Sequence, residues 1–340
     1  GKPKRSSSGF SAAKSASVPK QKITKSSADH TAKEQQAVAL INQGKLQEAE
    51  AIYRDLIATG TNNHNVYGKL GALLTIRGDI QNAITYFNKS IELKPNYLDA
   101  HYNLGVALQM EGDLTEAITS YKVALKLKPN YPEAHFNLGI VLHEQGDLDA
   151  AITSYNKSLQ LKPNYPEAHN NLGNALQEQG DLDTAIDSYN KALQLKPNYP
   201  EAHNNLGNAL KAHGRITEAI NSYHKALKLK PDYPEAQKNL SMAELINGDY
   251  SCGLARYEYR LKCEKERAKL SANPLTRYWS EPGIAECSQL LVISEQGLGD
   301  TLQFMRYIIN LKNKGIFVSF CAPKKLHTLI QASGIDQVPL

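Results

Sequence analysis

The chain has 340 residues, 41% of them hydrophobic, and a formal net charge of +5, enough for one large domain or two ordinary ones. No apolar run approaches the roughly 20 residues of a membrane span, residues 1–29 lack the apolar core of a secretory signal, and four scattered cysteines with no CxxC pair exclude a disulfide scaffold and point to reduced thiols in a cytoplasmic setting. Seven cations among residues 1–29 face only Asp29, a net of +6, so the other 311 residues sum to −1, which argues against specific nucleic-acid binding by a folded face.

The first 29 residues are Ser- and Lys-rich with Phe10 as their one aromatic, so they cannot bury enough apolar area to order themselves and are expected to be a disordered basic tail. The KPKR stretch at Lys2–Arg5 reads either as a polyanion patch or as a solvated tail. The chain opens on Gly rather than Met, and a preceding piece is expected.

From residue 30 the sequence repeats itself. The glycines of Asn-Leu-Gly, Gly105, Gly139, Gly173 and Gly207, stand 34 residues apart, and the same register holds Gly71, Ala37 and Ser241. Twelve residues after each lies a small residue (Ala49, Ala83, Ala117, Ala151, Ala185, Ala219, Gly253), and four further on an aromatic (Tyr53, Phe87, Tyr121, Tyr155, Tyr189, Tyr223, Tyr257). Seven units follow: 30–63, 64–97, 98–131, 132–165, 166–199, 200–233 and 234–267. Each reads as two helices. In the fifth, Pro166 suits the first helical position, Leu172 and Leu176 share a face, Gly180 suits a left-handed cap, Asp181 caps the second helix, and Pro197 follows its end. A glycine inside a helix costs about 0.5–1 kcal/mol. Its recurrence predicts a close approach, with the small residue of the second helix as partner and the aromatic filling the adjoining space.

This 34-residue helix–turn–helix, with its Leu-Gly, Ala, aromatic and Pro spacing, resembles the tetratricopeptide repeat. The resemblance implies an all-α solenoid, a right-handed superhelix whose first helices line a concave groove for protein or peptide ligands. The wording PNYPEAHNNLGNAL looks most like repeats of nucleocytoplasmic protein O-GlcNAc transferases. One amide per unit, Asn103, Asn137, Asn171, Asn205 and Asn239, offers a donor and an acceptor together, which suits sequence-independent pairing with a peptide backbone. In the transferases Asn at this place forms such a ladder, and these five match it, with Lys69 interrupting; the plainer reading is Asn facing water. Asn170, Asn174, Asn204 and Asn208 would widen the same polar face. His101, His135, His169 and His203 also recur, but on successive helices, which fits packing at the repeat joint and not a metal site needing three or four ligands on one ion. The lysines of LKLKP and LQLKP sit at second-helix C-termini and read as a solvated face. The last unit, with Ser241, Glu244, Gly253, Arg260 and Lys265 off-pattern, reads as a capping unit.

Residues 268–288 read as a linker, and then the grammar changes. Gln289–Ser294 and Ile316–Cys321 read as strands, with a helix over Thr301–Lys312 between them and another over Leu326–Ala332. This implies the start of a parallel, Rossmann-like α/β sheet over 289–340, incomplete, with the sequence expected to continue past Leu340. The turn Glu295, Gln296, Gly297, Leu298, Gly299, Asp300 lacks the GK[ST] of a Walker loop and fails GxGxxG at Leu302; what remains is a helix N-terminus able to hold an anion or sugar hydroxyl. WSEPG…LLVISEQGLGDTLQFMRY is similar to the segment following tetratricopeptide repeats in bacterial proteins with a GT-B glycosyltransferase-like domain, and GLGDTLQ resembles a turn of the heptosyltransferase family. That resemblance implies Asp300 as the base on an acceptor hydroxyl, with Glu295 and Gln296 as acceptor contacts; the alternative is a plain helix-capping Asp. A nucleotide-sugar donor would belong to the full-length protein, and no cofactor is expected in this chain. Two functions compete: a peptide-binding scaffold fused to a partial glycosyltransferase-like module, or the acceptor-selecting part of a glycosyltransferase.

Overall fold

A computed structural model of the chain describes residues 20–249, 252, 253, 256, 289–293, 317–321 and 331. Thirteen helices follow one another among them: α1 (Lys20–Asn42), α2 (Leu46–Ala58), α3 (His64–Arg77), α4 (Ile80–Leu93), α5 (Leu98–Glu111), α6 (Leu114–Leu127), α7 (Pro132–Gln145), α8 (Leu148–Leu161), α9 (Pro166–Gln179), α10 (Leu182–Leu195), α11 (Pro200–Ala212), α12 (Ile216–Leu229) and α13 (Pro234–Ile246). The chain divides into two bodies, Gly1–Pro197 with α1–α10 and Asn198–Leu340 with the rest. No helix among the described residues is long and apolar enough to cross a membrane.

In the first body each odd-numbered helix pairs with the even one after it, and each even helix then packs on the next odd one. The odd helices from α3 to α9 also meet one another in sequence. Successive first helices therefore stand side by side.

Local sequence explains the turns. Gly78, Gly112, Gly146 and Gly180 end their helices at φ of 84°, 92°, 90° and 94°, a left-handed backbone that only glycine adopts cheaply. The side chains of Asp113, Asp147 and Asp181 then accept from the backbone N–H of Glu116, Ala150 and Thr184 at 3.1, 3.1 and 3.2 Å. Asp79 makes no such cap; its carboxylate accepts from the Asn82 amide instead. Prolines 132, 166, 200 and 234 stand in the first turns of their helices.

The core is small residues against rings. Ala83, Ala117, Ala151 and Ala185 are fully buried, as are Phe87, Tyr121 and Tyr155, with Tyr189 all but so. The helical glycines give way to the ring, not to the small residue of the second helix as expected. A Cβ on Gly173 would lie 2.7 Å from Tyr189 Cε1 and 2.8 Å from its Cδ1, and Gly71, Gly105, Gly139 and Gly207 face Phe87, Tyr121, Tyr155 and Tyr223 in the same way. The reason is that the nearest atoms to a Cβ at each glycine are Cδ1, Cε1 and Cζ of the second-helix ring. The ring hydroxyls differ in fate. Tyr189 Oη donates to Asn174 Oδ1 at 2.8 Å, Tyr223 Oη to Asn208 Oδ1 at 2.7 Å, and Tyr121 Oη to Gln109 Oε1 at 3.3 Å. In the fourth hairpin Ile140 and His143 stand in those positions, and the buried Tyr155 hydroxyl has no partner.

Three further departures from expectation have plain causes. Helix α1 begins at Lys20, inside the stretch expected to be disordered, because extending an existing helix through Lys20, Gln21, Lys22 and Ala28 costs little once Ala37 is packed. The lysines ending the second helices are engaged, not merely solvated: Lys162 and Lys196 reach Glu133 and Glu167 at 3.1 and 3.0 Å, and Lys162 also lies 4.2 Å over the Tyr165 ring. In the second body, Ser241 takes the glycine position of α13 and donates to the Gly253 carbonyl at 2.8 Å, so the smallest residue has moved to the following segment.

Strands β1 (Gln289–Ile293) and β2 (Phe317–Cys321) pair in parallel, Gln289 opposite Phe317 through Ile293 opposite Cys321. The tail before Lys20, the linker 268–288, the Glu295–Asp300 turn with Gly297 and Gly299, and nearly all of the helices expected within 301–332 lie outside the described residues, so the Rossmann-like arrangement is not established here.

Candidate functional site on the first-helix face

Along each first helix, residues spaced by four, three and four share one side of the cylinder. On α5 these are Asp99, Asn103, Val106 and Met110; on α7, Glu133, Asn137, Ile140 and Glu144; on α9, Glu167, Asn171, Asn174 and Glu178; on α3, Asn65, Lys69, Ala72 and Ile76. None of these sixteen is buried, whereas Ala100, Leu104 and Leu108 on the opposite side of α5 are, as are their counterparts on α7 and α9. The stripes therefore lie uncovered on neighbouring first helices of the first body. Between α1, α3 and α5 the face holds a hollow bordered by Glu34, Val38, Lys69, Tyr97 and Asp99, with a second beside it reaching Ala72 and Asn103.

Of the asparagines expected to form a ladder, Asn103, Asn137 and Asn171 stand on these stripes. Asn103 makes no hydrogen bond among the described residues. Asn137 Nδ2 donates to Tyr102 Oη at 3.0 Å, and Asn171 Oδ1 accepts from Asn170 Nδ2 at 3.3 Å. In the second body Asn205 Oδ1 accepts from Asn204 Nδ2 at 3.5 Å, while Asn204 Oδ1 accepts from Asn239 Nδ2 at 3.1 Å. Tyr102, Asn170 and Asn204, each just before a ladder amide, thus orient four of the five. Asn170 and Asn204 do not widen the exposed face as expected: they are 4% and 5% exposed, and in the second body Asn204 reaches α13 through Asn239. Asn174 and Asn208 are half-buried and hold the tyrosine hydroxyls.

The histidines serve the joints. His101, His135 and His169 donate through Nε2 to the carbonyls of Pro95, Pro129 and Pro163 at 2.7, 2.9 and 3.0 Å, tying each first helix to the loop before it. Among the described residues no three ligating side chains gather into a metal site. Burial lowers the basicity of His135 and His169, only partly offset by those carbonyls.

Sequence reasoning passed over the apolar part of the face. Ile76 is 69% exposed, Met110 56% and Val38 43%, and all three stand at first-helix positions that share a side with the ladder register. The available signal was the helical period itself, which puts the residues three and seven after each ladder position on the same face. The charges are also unevenly placed. Lys69 and Glu144 have no ion pair among the described residues, and Glu178 Oε2 meets His143 Nε2 at 3.0 Å.

The tetratricopeptide (TPR) repeat family matches residues 71–112, 110–146, 141–180, 173–214 and 200–233. No curated protein matches the chain. Solved structures do. The C-terminal part of a TPR repeat-containing protein from Cytophaga hutchinsonii is 19% identical, with 68% of this chain and 95% of that one covered and a TM-score of 0.56. PilF of Pseudomonas aeruginosa is 22% identical over 59% of this chain and 90% of that one, with a TM-score of 0.52. The MamA protein is 27% identical over 49% and 92%, with a TM-score of 0.47. With the 34-residue register, the glycine–ring packing and the family matches in agreement, the chain carries tetratricopeptide repeats across residues 71–233.

Proposed function

We propose that the chain is a protein-interaction scaffold, in a cytoplasmic setting, whose first-helix face holds extended protein segments. Asn103, Asn137 and Asn171 in the first body, and Asn205 and Asn239 in the second, grip the backbone of the bound segment. The observation that supports this most is the recurrence of an amide at one register of an uncovered face, with neighbouring residues orienting four of the five. An amide pairs with a peptide group through both its donor and its acceptor, so grip comes without side-chain selection. The test is selection of unstructured peptides from a displayed random library by the full chain, then comparison with the Asn103→Ala/Asn137→Ala/Asn171→Ala variant. Binding of the selected peptides should fall by about tenfold or more, roughly 1.4 kcal/mol, with helicity and melting unchanged. Unaltered binding removes the ladder from the reading.

We further infer a domain plan of tail, seven units to residue 267, linker 268–288 and a glycosyltransferase-like α/β module from 289. The parallel pairing of 289–293 with 317–321 supports such a module. In it Asp300 takes the acceptor proton, Glu295, Gln296, Gly297 and Gly299 form the acceptor loop, and a nucleotide-sugar is the donor. Nucleotide-sugar hydrolysis or transfer by the full-length gene product, abolished in Asp300→Asn, is the expected result; activity that survives the substitution overturns it.

A further inference from the structure

The face that carries the asparagines is not uniform, and its variation along the first body specifies an occupant. Its α1–α5 end is apolar, with Val38, Ile76 and Met110 more exposed than any other large apolar side chains described in that body. Apolar area left in water on one side of successive helices marks an interaction surface. Its α7–α9 end is acidic: Glu144 replaces Met110 one hairpin later, without an ion pair among the described residues, and Glu178 follows it on α9. Glu133 and Glu167 on the same stripes are already answered by Lys162 and Lys196, whereas at the later position Glu144 has no ion pair among the described residues and Glu178 meets only the His143 ring. Lys69, the one cation on these four stripes, shares its hollow with Glu34 and Asp99 and does not reverse the balance.

We propose, resting on the groove reading above, that the partner is an extended segment with two apolar side chains three residues apart followed, at the same spacing, by Lys or Arg. The spacing comes from geometry. Packed helices lie about 8–10 Å apart, and a chain in the extended polyproline II form advances about 3.1 Å per residue with every third side chain on one edge, so every third side chain meets a new helix. The apolar pair lies over Ile76 and Met110, and the cations lie beside Glu144 and Glu178. The asparagines hold the backbone between them, and the charge gradient sets one direction of binding.

Fluorescein-labelled peptides on a Gly/Ser background test this, titrated into the full chain by anisotropy. One carries the two-leucine, two-lysine pattern, a second has glutamate for lysine, and a third has serine for leucine. The lysine–leucine peptide should bind about tenfold more tightly than either, and more weakly as salt rises. Glu144→Lys, a substitution at a side chain with no ion pair to break, should lower its affinity about fivefold and raise that of the glutamate peptide. Ile76→Ser/Met110→Ser should erase the leucine preference. If all three peptides bind alike and lose binding together in the triple asparagine variant, the groove reading stands and this inference falls. If none binds, both fall. A dimer in sedimentation that Ile76→Ser/Met110→Ser dissolves assigns the face to a second copy and overturns the proposal.

Discussion

At the scale of the residue, the glycine–ring contact decides more than helix propensity does. Alanine at Gly173 would gain about 0.5–1 kcal/mol of intrinsic helix preference, yet its Cβ would lie 2.7 Å from a carbon of the rigid Tyr189 ring. Overpacking of that kind costs about 1–3 kcal/mol, so Gly173→Ala should destabilise by about 1–2 kcal/mol in urea unfolding, and Gly173→Leu should do so severely. The hydroxyls give a paired expectation. Tyr223→Phe leaves Asn208 without its donor and should cost about 1 kcal/mol, whereas Tyr155→Phe removes a buried hydroxyl that has no partner and should be neutral or stabilising. The glycine register was legible from the sequence because its period is strict. The identity of its partner was not, since a ring sixteen residues after the glycine and an alanine twelve after it produce the same repeat.

At the scale of the element, cap chemistry separates hairpins that look alike. Asp181 accepts from the Thr184 N–H while Asp79, in the same register, does not cap. Asp181→Ala should therefore lower stability by about 1 kcal/mol in thermal or urea melts and Asp79→Ala by clearly less. Asp181 reads as a cap in sequence, and Asp79 stands at the same place in its own repeat. What separates them is local competition, the Asn82 amide drawing the Asp79 carboxylate away from the backbone. The ladder shows a similar division. Its register was legible, since four of the five amides precede Leu-Gly, but the engagement of Asn204 depends on Asn239 of the following first helix, which no single unit encodes. The apolar stripe of Ile76 and Met110 was legible in principle and hidden in practice, because apolar residues in a repeat are read as core by default.

At the scale of the whole molecule, the joints respond to acid. Burial holds His64, His135 and His169 below the ordinary histidine value. In the unfolded chain these groups take up protons near pH 6.5, and in the folded chain only at lower pH. The unfolded state therefore binds more protons in that window, and stability present above about pH 6.5 should decline as pH falls below it. Urea midpoints measured between pH 7.5 and pH 5, about the range over which histidine titrates, check this, and His135→Gln/His169→Gln should flatten the slope.

The bonds within and between hairpins fall into two separate sets. Gly139 with Tyr155 and Lys162 with Glu133 close inside one unit, while His135 with Pro129 and Asn137 with Tyr102 fasten it to its predecessor through groups that recur at the neighbouring junctions or have substitutes there. A unit can therefore be duplicated or deleted whole by unequal recombination with its internal locks intact. Such an event would lengthen or shorten the binding track by one rung, so the reach of this molecule along a partner can change by genetic copying without any new contact being invented.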